Sequence, residues 1–327
     1  MRFSGYLKYM TWQRLRNLIR ANTNILLSRF GIYRLNHMPE FASIEPANYC
    51  MLHCPQCPVG INGNKSPKLL STDLFNRILD NISPYIHTLI FYFQGEPLLN
   101  NQLPEMVAAA SAKKIYTMLS TNGLLMTDRL ATDLVRSGLS RIIISIDGVS
   151  QAAYGKYRTG GSVEKAVASV RMLNQARQKL KSHTPLIEVQ CLRLKSNEKE
   201  WDEMQKLYRL WGADRLVFKT AQFYDYESGN ELMPTNNRYS RYRKTRSGIY
   251  IRKKPYRKYC RRLWSGVVFD VNGNVLPCCF DKDRKYVFGN IQEQDFKTIW
   301  QSAEAVAFRE KLLNARQEID ICQNCTE

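Results

Sequence analysis

Six short apolar runs constrain this chain more than any other feature: FASIEP (41–46), HTLIFYF (87–93), IYTMLST (115–121), RIIISID (141–147), LIEVQCLRL (186–194) and RLVFKT (215–220). Between them, apolar spacing predicts helices at about 71–84, 102–113, 127–138, 162–180 and 197–211. Near-continuous apolar strands alternating with helices predict a parallel sheet with helical crossovers, hence the α/β class. Six units are too few for a closed eight-stranded barrel and fit a partial barrel or an open sheet. Functional groups are then expected at the C-terminal ends of the strands, where loops and helix starts converge.

The first strand leads into NYCMLHCPQCPVG (48–60), which places Cys50, Cys54 and Cys57 within eight residues and offers no fourth cysteine nearby. A structural zinc site wants four protein ligands. Three thiolates suit a cubic 4Fe-4S cluster in which one iron keeps an open position, as catalysis requires. The chain has nine cysteines in 327 residues, grouped in close spacings. An odd count in a chain of this size reads as metal or cluster ligation in a reducing compartment, not as a disulfide scaffold. No secretory h-region and no run of eighteen apolar residues occurs, so a cytoplasmic chain is expected.

In this context the tricysteine loop resembles that of the radical S-adenosylmethionine enzymes, whose C-x3-C-x2-C follows the first strand of a partial (β/α)6 TIM-like barrel. The resemblance covers about residues 41–221 and includes more than the cysteines. Gln94, Gly95, Glu96 and Pro97 after the second strand look like the family's GGEP segment, with Gln replacing the first Gly. The resemblance implies that this segment binds the amino group of the methionyl moiety. It further implies cofactor contacts from Ser120, Thr121 and Asn122 after the third strand, and from Ser145 and Asp147 at the end of the fourth. Arg158 in YGKYRTGG resembles the arginine that pairs with the cofactor carboxylate. Each residue also suits its role chemically: glycine permits close approach, Glu96 can accept from an ammonium, and Arg158 can fork onto a carboxylate.

Asn272-Gly273 predicts a hairpin turn between VVFDV and VLPCC, and ICQNCTE follows a helical stretch. Cys260, Cys278, Cys322 and Cys325 complete a four-thiolate set for which zinc stays open on residue type alone. Their pattern resembles a truncated SPASM, or twitch, extension over residues 260–327, supported by GNI (289–291) and TIW (298–300). That resemblance implies one auxiliary 4Fe-4S cluster in a small α+β iron–sulfur domain. Cys279 is left either to exchange with Cys278 as ligand or to act as a hydrogen-atom donor. Cys191 is left either as a small core residue or as an inward-facing thiol.

Formal charge is +19, and residues 238–262 alone carry twelve Arg or Lys and no acid. Such a block is either a solvated connector or a phosphate- or carboxylate-binding segment, with Tyr239, Tyr242, Tyr250, Tyr256 and Tyr259 available to stack on RNA bases. Residues 1–36 read as a basic amphipathic helix, with Leu15, Leu18, Ile19, Ile25, Leu26 and Phe30 between Arg14, Arg16, Arg20 and Arg29. It either docks on its own domain or lies on an anionic membrane at the inner face.

The expected organisation is thus an extension (1–40), a barrel (41–235), a basic linker (236–259) and an auxiliary cluster domain (260–327). The implied cofactors are two 4Fe-4S clusters and S-adenosyl-L-methionine. The implied activity is generation of a 5′-deoxyadenosyl radical for hydrogen abstraction, with net oxidation, dehydrogenation or crosslinking of a peptide, sugar or other anionic substrate. A one-electron donor such as flavodoxin or ferredoxin is expected. Three alternatives stand beside it: an epimerase using Cys279, an RNA-modifying radical enzyme, and a non-catalytic zinc protein that binds RNA or membrane.

Overall fold

The computed structural model describes residues 8–63, 66–255 and 257–325. The first seven residues of the expected extension, Tyr256 and residues 326–327 lie outside the described residues. All six anticipated strands form: β1 (Phe41–Ile44), β2 (Thr88–Phe91), β3 (Tyr116–Thr121), β4 (Arg141–Ser145), β5 (Leu186–Arg193) and β6 (Arg215–Thr220). The chain divides into two compact units: one comprises the described parts of Met1–Asn48, Lys68–Met118 and Tyr256–Glu327, the other Tyr49–Pro67 and Leu119–Pro255.

In the first unit, β1 pairs in parallel with β2, Phe41 opposite Thr88. The connecting helix, Thr72–Ile82, starts where the Ser71 hydroxyl accepts from the Leu74 amide, and buries Phe75, Ile78, Leu79 and Ile82. On its other side β1 pairs in parallel with β9 (Gly266–Phe269), Phe41 opposite Gly266. A Cβ on Gly266 would sit 2.2 Å from the Phe41 ring, so close packing, not turn geometry, demands glycine there. The predicted Asn-Gly hairpin then turns β9 into β10 (Asn274–Leu276), antiparallel, with Val275 opposite Phe269. Gly273 takes φ +82° in that turn, and the Asp270 carboxylate accepts from the amides of Asn272 and Asn274.

In the second unit, β4, β5 and β6 are parallel neighbours. Ile142, Ile143 and Ile144 are all buried, as a strand covered on both faces requires. Helices Asp128–Arg136 and Val163–Lys179 are N-capped by Thr127 and Ser162. Two elements here escaped the sequence pattern. Gln151–Tyr157 is a short helix capped by Ser150. Part of the basic segment expected as linker folds into an antiparallel hairpin, β7 (Tyr242–Lys244) with β8 (Tyr250–Arg252). Tyr242 is wholly buried and its hydroxyl bonds the Phe223 backbone, while Tyr239 packs edge-on against Trp201. Wholly buried Tyr242 is therefore a packing residue and not a base-stacking platform.

Candidate functional site

The tricysteine loop belongs to the second unit. Its backbone is fixed at both ends: the His53 amide donates to the Thr159 carbonyl at 3.0 Å, and the Cys57 amide to the Cys54 carbonyl at 3.1 Å. Cys57 then caps the short helix Pro58–Asn62. A Cβ on Gly60 would approach the Cys54 backbone N and O to 2.6 Å, so only glycine lets this helix close under the loop. Cys54 is buried while Cys50 and Cys57 are half-buried. Cys54 packs with Leu52, Tyr157 and Phe223, an apolar wall that excludes water from one side.

Residues from the strand ends reach this loop. Asn122 directs its amide to the sulfurs of Cys50, at 3.7 Å, and Met51, at 3.2 Å. Arg158 donates through Nε to the buried Asp147 carboxylate at 2.6 Å. Burial pushes the Cys54 thiol up, and the Arg158 guanidinium opposes that shift. For Arg158 itself burial works against the charge, but Asp147 and the surrounding acidic groups hold it protonated. Asp147 in turn accepts from the Leu192 amide at 2.6 Å, and the Asn197 amide donates to its carbonyl at 2.9 Å. Thr121 accepts from the Gly123 amide, Ser145 is buried and Ser120 half-buried. The unit thus gathers the three cysteines with Asn122, Asp147 and Arg158, while Asn197 is a positioning residue that sequence reading missed.

Beside the loop lies a cavity of about 350 Å³ lined by Gln56, Tyr157, Gln190, Lys219, Gln222 and Arg241 among others. Gln56, between Cys54 and Cys57, accepts from the Tyr224 amide and ties the loop to the segment after β6. Gln190 and Leu192 line the cavity on one face of β5, so Cys191 faces the other side, buried and contacted by Asn197 at 3.6 Å. The core-residue reading of Cys191 is the one its surroundings match.

The first unit carries the remaining predicted residues. Gln94 donates to the Lys282 carbonyl at 2.7 Å, Gly95 has φ +62°, and buried Glu96 accepts from the Leu98 amide at 3.1 Å as Pro97 opens a 3-10 turn. Cys260, Cys278, Cys322 and Cys325 surround one small cavity whose other walls include Leu263, Phe280, Phe308, Leu312 and Ile321. Burial pushes the Cys260 and Cys278 thiols up, and the Cys322 thiol to about 11. Cys279 does not line that cavity. It packs against Phe93, Val268 and Leu276 and accepts from Arg262 at 3.2 Å.

These donor sets fit iron–sulfur clusters. Among the described residues, no three His, Cys, Asp or Glu side chains converge as a single metal ion would need. A four-iron cluster instead spreads its thiolates over separate corners, and iron binding supplies the deprotonation that burial alone opposes.

The comparisons with known proteins agree. Residues 44–190 match the radical SAM superfamily and residues 260–326 match the SPASM iron–sulfur cluster-binding domain. The chain belongs to the radical S-adenosylmethionine enzymes that carry a C-terminal SPASM-type domain, and its cofactors are a catalytic and an auxiliary 4Fe-4S cluster with S-adenosylmethionine. That membership sets aside the zinc-protein alternative. Among its relatives, the tungsten-containing aldehyde ferredoxin oxidoreductase cofactor-modifying protein of Pyrococcus furiosus is 25% identical, with 83% of each chain covered. The PqqA peptide cyclase of Rhizobium meliloti is 28% identical over 82% of this chain and 75% of its own. The structure of Streptococcus suis SuiB bound to S-adenosylmethionine superposes with a TM-score of 0.66 at 14% identity, covering 94% of this chain and 76% of that one. The fold is therefore α/β, a partial TIM-like barrel with a C-terminal domain. No described helix is long and apolar enough to cross a membrane.

Proposed function

We propose that this enzyme is a cytoplasmic radical SAM oxidoreductase acting on a peptide, with residues 41–235 as its catalytic barrel and 260–327 as its auxiliary domain. The observation that carries the reading is the closed set of Cys260, Cys278, Cys322 and Cys325 around one apolar cavity. A cluster ligated by four thiolates has no corner free for substrate, which suits electron transfer. When bound, the cofactors supply reductive cleavage of S-adenosylmethionine, hydrogen abstraction from a substrate carbon and an acceptor for the electron left behind.

The chain's own residues do the rest. Cys50, Cys54 and Cys57 would hold the catalytic cluster. Asn122 directs a donor amide at the Cys50 sulfur, and Asp147 orients Arg158 beside Cys54. Gln94–Pro97, Ser120, Thr121, Ser145 and Arg158 are assigned to S-adenosylmethionine. The cavity lined by Gln56, Gln190, Gln222, Lys219 and Arg241 is assigned to the substrate: three amides suit a peptide backbone, and two cations suit its carboxylates. A peptide substrate is also in keeping with the PqqA peptide cyclases among the relatives. An external one-electron donor of the flavodoxin or ferredoxin kind starts each turnover.

The test uses reduced holoenzyme, S-adenosylmethionine and candidate peptides deuterated at the attacked carbon. Oxidation places deuterium in 5′-deoxyadenosine and removes two hydrogens from the peptide. Solvent hydrogen incorporated with no net loss would overturn it in favour of epimerisation.

A further inference from the structure

The helix Trp12–Arg29 is built inside out. A surface helix ordinarily buries an apolar stripe and shows polar side chains to water. Here the buried positions include Arg14, Asn17, Asn24 and Ser28. Arg14 donates to the carbonyls of Tyr9, Ser83, Lys113 and Lys114. Asn17 donates to the carbonyls of Met38 and Pro39 and accepts from the Met38 amide. Asn24 bonds Asn36 and His37. These bonds anchor the helix rigidly through its polar face.

The outward face is apolar. Trp12 is 72% exposed, Leu15 37%, Ile19 60%, Leu26 51% and the C-cap Phe30 75%. At about 100° per residue these five fall within an arc of roughly 60°, so they share one face, which exposed Asn22 and Thr23 interrupt between Ile19 and Leu26. Arg16 and Arg20 border it on one side and Arg29 on the other, all exposed. Residues 1–39 contain no Asp or Glu. On the Arg16 and Arg20 side the stripe adjoins a cavity of about 620 Å³, to which Lys297 adds a third cation and in whose lining no carboxylate occurs.

We infer that this face binds the surface of an anionic lipid bilayer, with the apolar stripe in the interfacial layer and the arginines and the cationic cavity on lipid phosphates. Charge selects lipid over a second copy of this chain: the charged side chains that border the stripe on this helix, Arg16, Arg20 and Arg29, and Lys297 in the adjoining cavity are all cationic, and two such faces would repel. An exposed tryptophan at one end of the stripe and flanking arginines are the residues an interfacial helix uses. With no described helix able to span, the contact is peripheral.

Flotation of the full-length holoenzyme with extruded vesicles tests this. Binding is expected to phosphatidylcholine vesicles containing phosphatidylglycerol, to be absent with phosphatidylcholine alone and to weaken with salt. Ile19→Glu with Phe30→Glu is expected to lower the bound fraction about tenfold. The milder Ile19→Ala with Phe30→Ala lowers it in the same direction, and S-adenosylmethionine cleavage in both variants stays at the wild-type level. Failure of the wild type to float with anionic vesicles would overturn the inference. So would equal flotation of the glutamate variant, which would move binding to another basic segment. Loss of a self-association or protein complex in that variant, without any vesicle binding by the wild type, would assign the stripe to a protein partner instead.

Discussion

The two cysteine sites share a turn and differ in everything else. Cys54-x2-Cys57 and Cys322-x2-Cys325 are closed by the same bond, the second cysteine's amide to the first one's carbonyl, at 3.1 Å in both. The first site adds only Cys50, from the same loop, and Gly60 closes the space behind it. The second adds Cys260 and Cys278, from segments far apart in sequence. This short loop offers three thiols and no more. Thiols recruited from distant segments can close the fourth corner. Under the proposed function, the number of thiols offered to each cluster follows from how local the ligands are.

The largest effect expected from separating the sites is that of Cys54→Ala, which should reduce 5′-deoxyadenosine production to background while about four of roughly eight irons remain. Cys322→Ala should lose the other half of the iron but keep cofactor cleavage without substrate. Cys279→Ala should keep both clusters, and iron analysis that showed half the metal gone would instead make Cys279 a ligand.

The supporting arginines differ as well. Arg158 is paired with buried Asp147, so Arg158→Met should cost about 3–5 kcal/mol by leaving that carboxylate unpaired, measured as a shift in denaturant midpoint. Acid should act on the first unit through His37. Burial pushes it down to about 4 from 6.5, with its ring held between Asn24 and the Trp264 carbonyl, four residues beyond Cys260. The unfolded chain takes up this proton at 6.5 while the folded chain resists. Stability is therefore full above 6.5 and falls by up to about 3 kcal/mol as pH drops toward 4. His37→Gln should flatten that slope in fluorescence-monitored unfolding. Arg316 donates to the Arg257 and Tyr259 carbonyls beside the second site. Arg316→Met, which leaves those carbonyls unpaired, should cost about 1–3 kcal/mol, and less than the Arg158 change.

Much of this was legible in the chain. The strands were visible because each is a near-continuous apolar run, and the hairpin because Asn272-Gly273 admits the required backbone. Gln151–Tyr157 was not, since seven residues carry too little periodicity. The Tyr242 hairpin hid in a block whose charge swamped its alternation. The pairing of β9 with β1 links Gly266 to Phe41, and no local pattern announces so distant a partner. At the site, the three close cysteines stood out by their spacing, whereas the grouping of Cys260, Cys278, Cys322 and Cys325 rested on the family resemblance. The Asp147–Arg158 pair and its support from Asn197 were not, because they join three segments through contacts that only the fold creates. Lys219 and Arg241 were lost among the many basic residues until a shared cavity singled them out.

The separation of Cys57 from Cys325 also orders maturation in time. At the usual rate of about 5–20 residues per second, on the order of tens of seconds pass between their emergence during synthesis. The early loop has all three of its sulfurs in the chain throughout that interval, and its supports Tyr157, Thr159 and Phe223 emerge before the later set is complete. Iron delivery to a nascent chain therefore meets one ready acceptor first, and pulse-labelled ribosome-bound chains halted before Cys322 should already retain it.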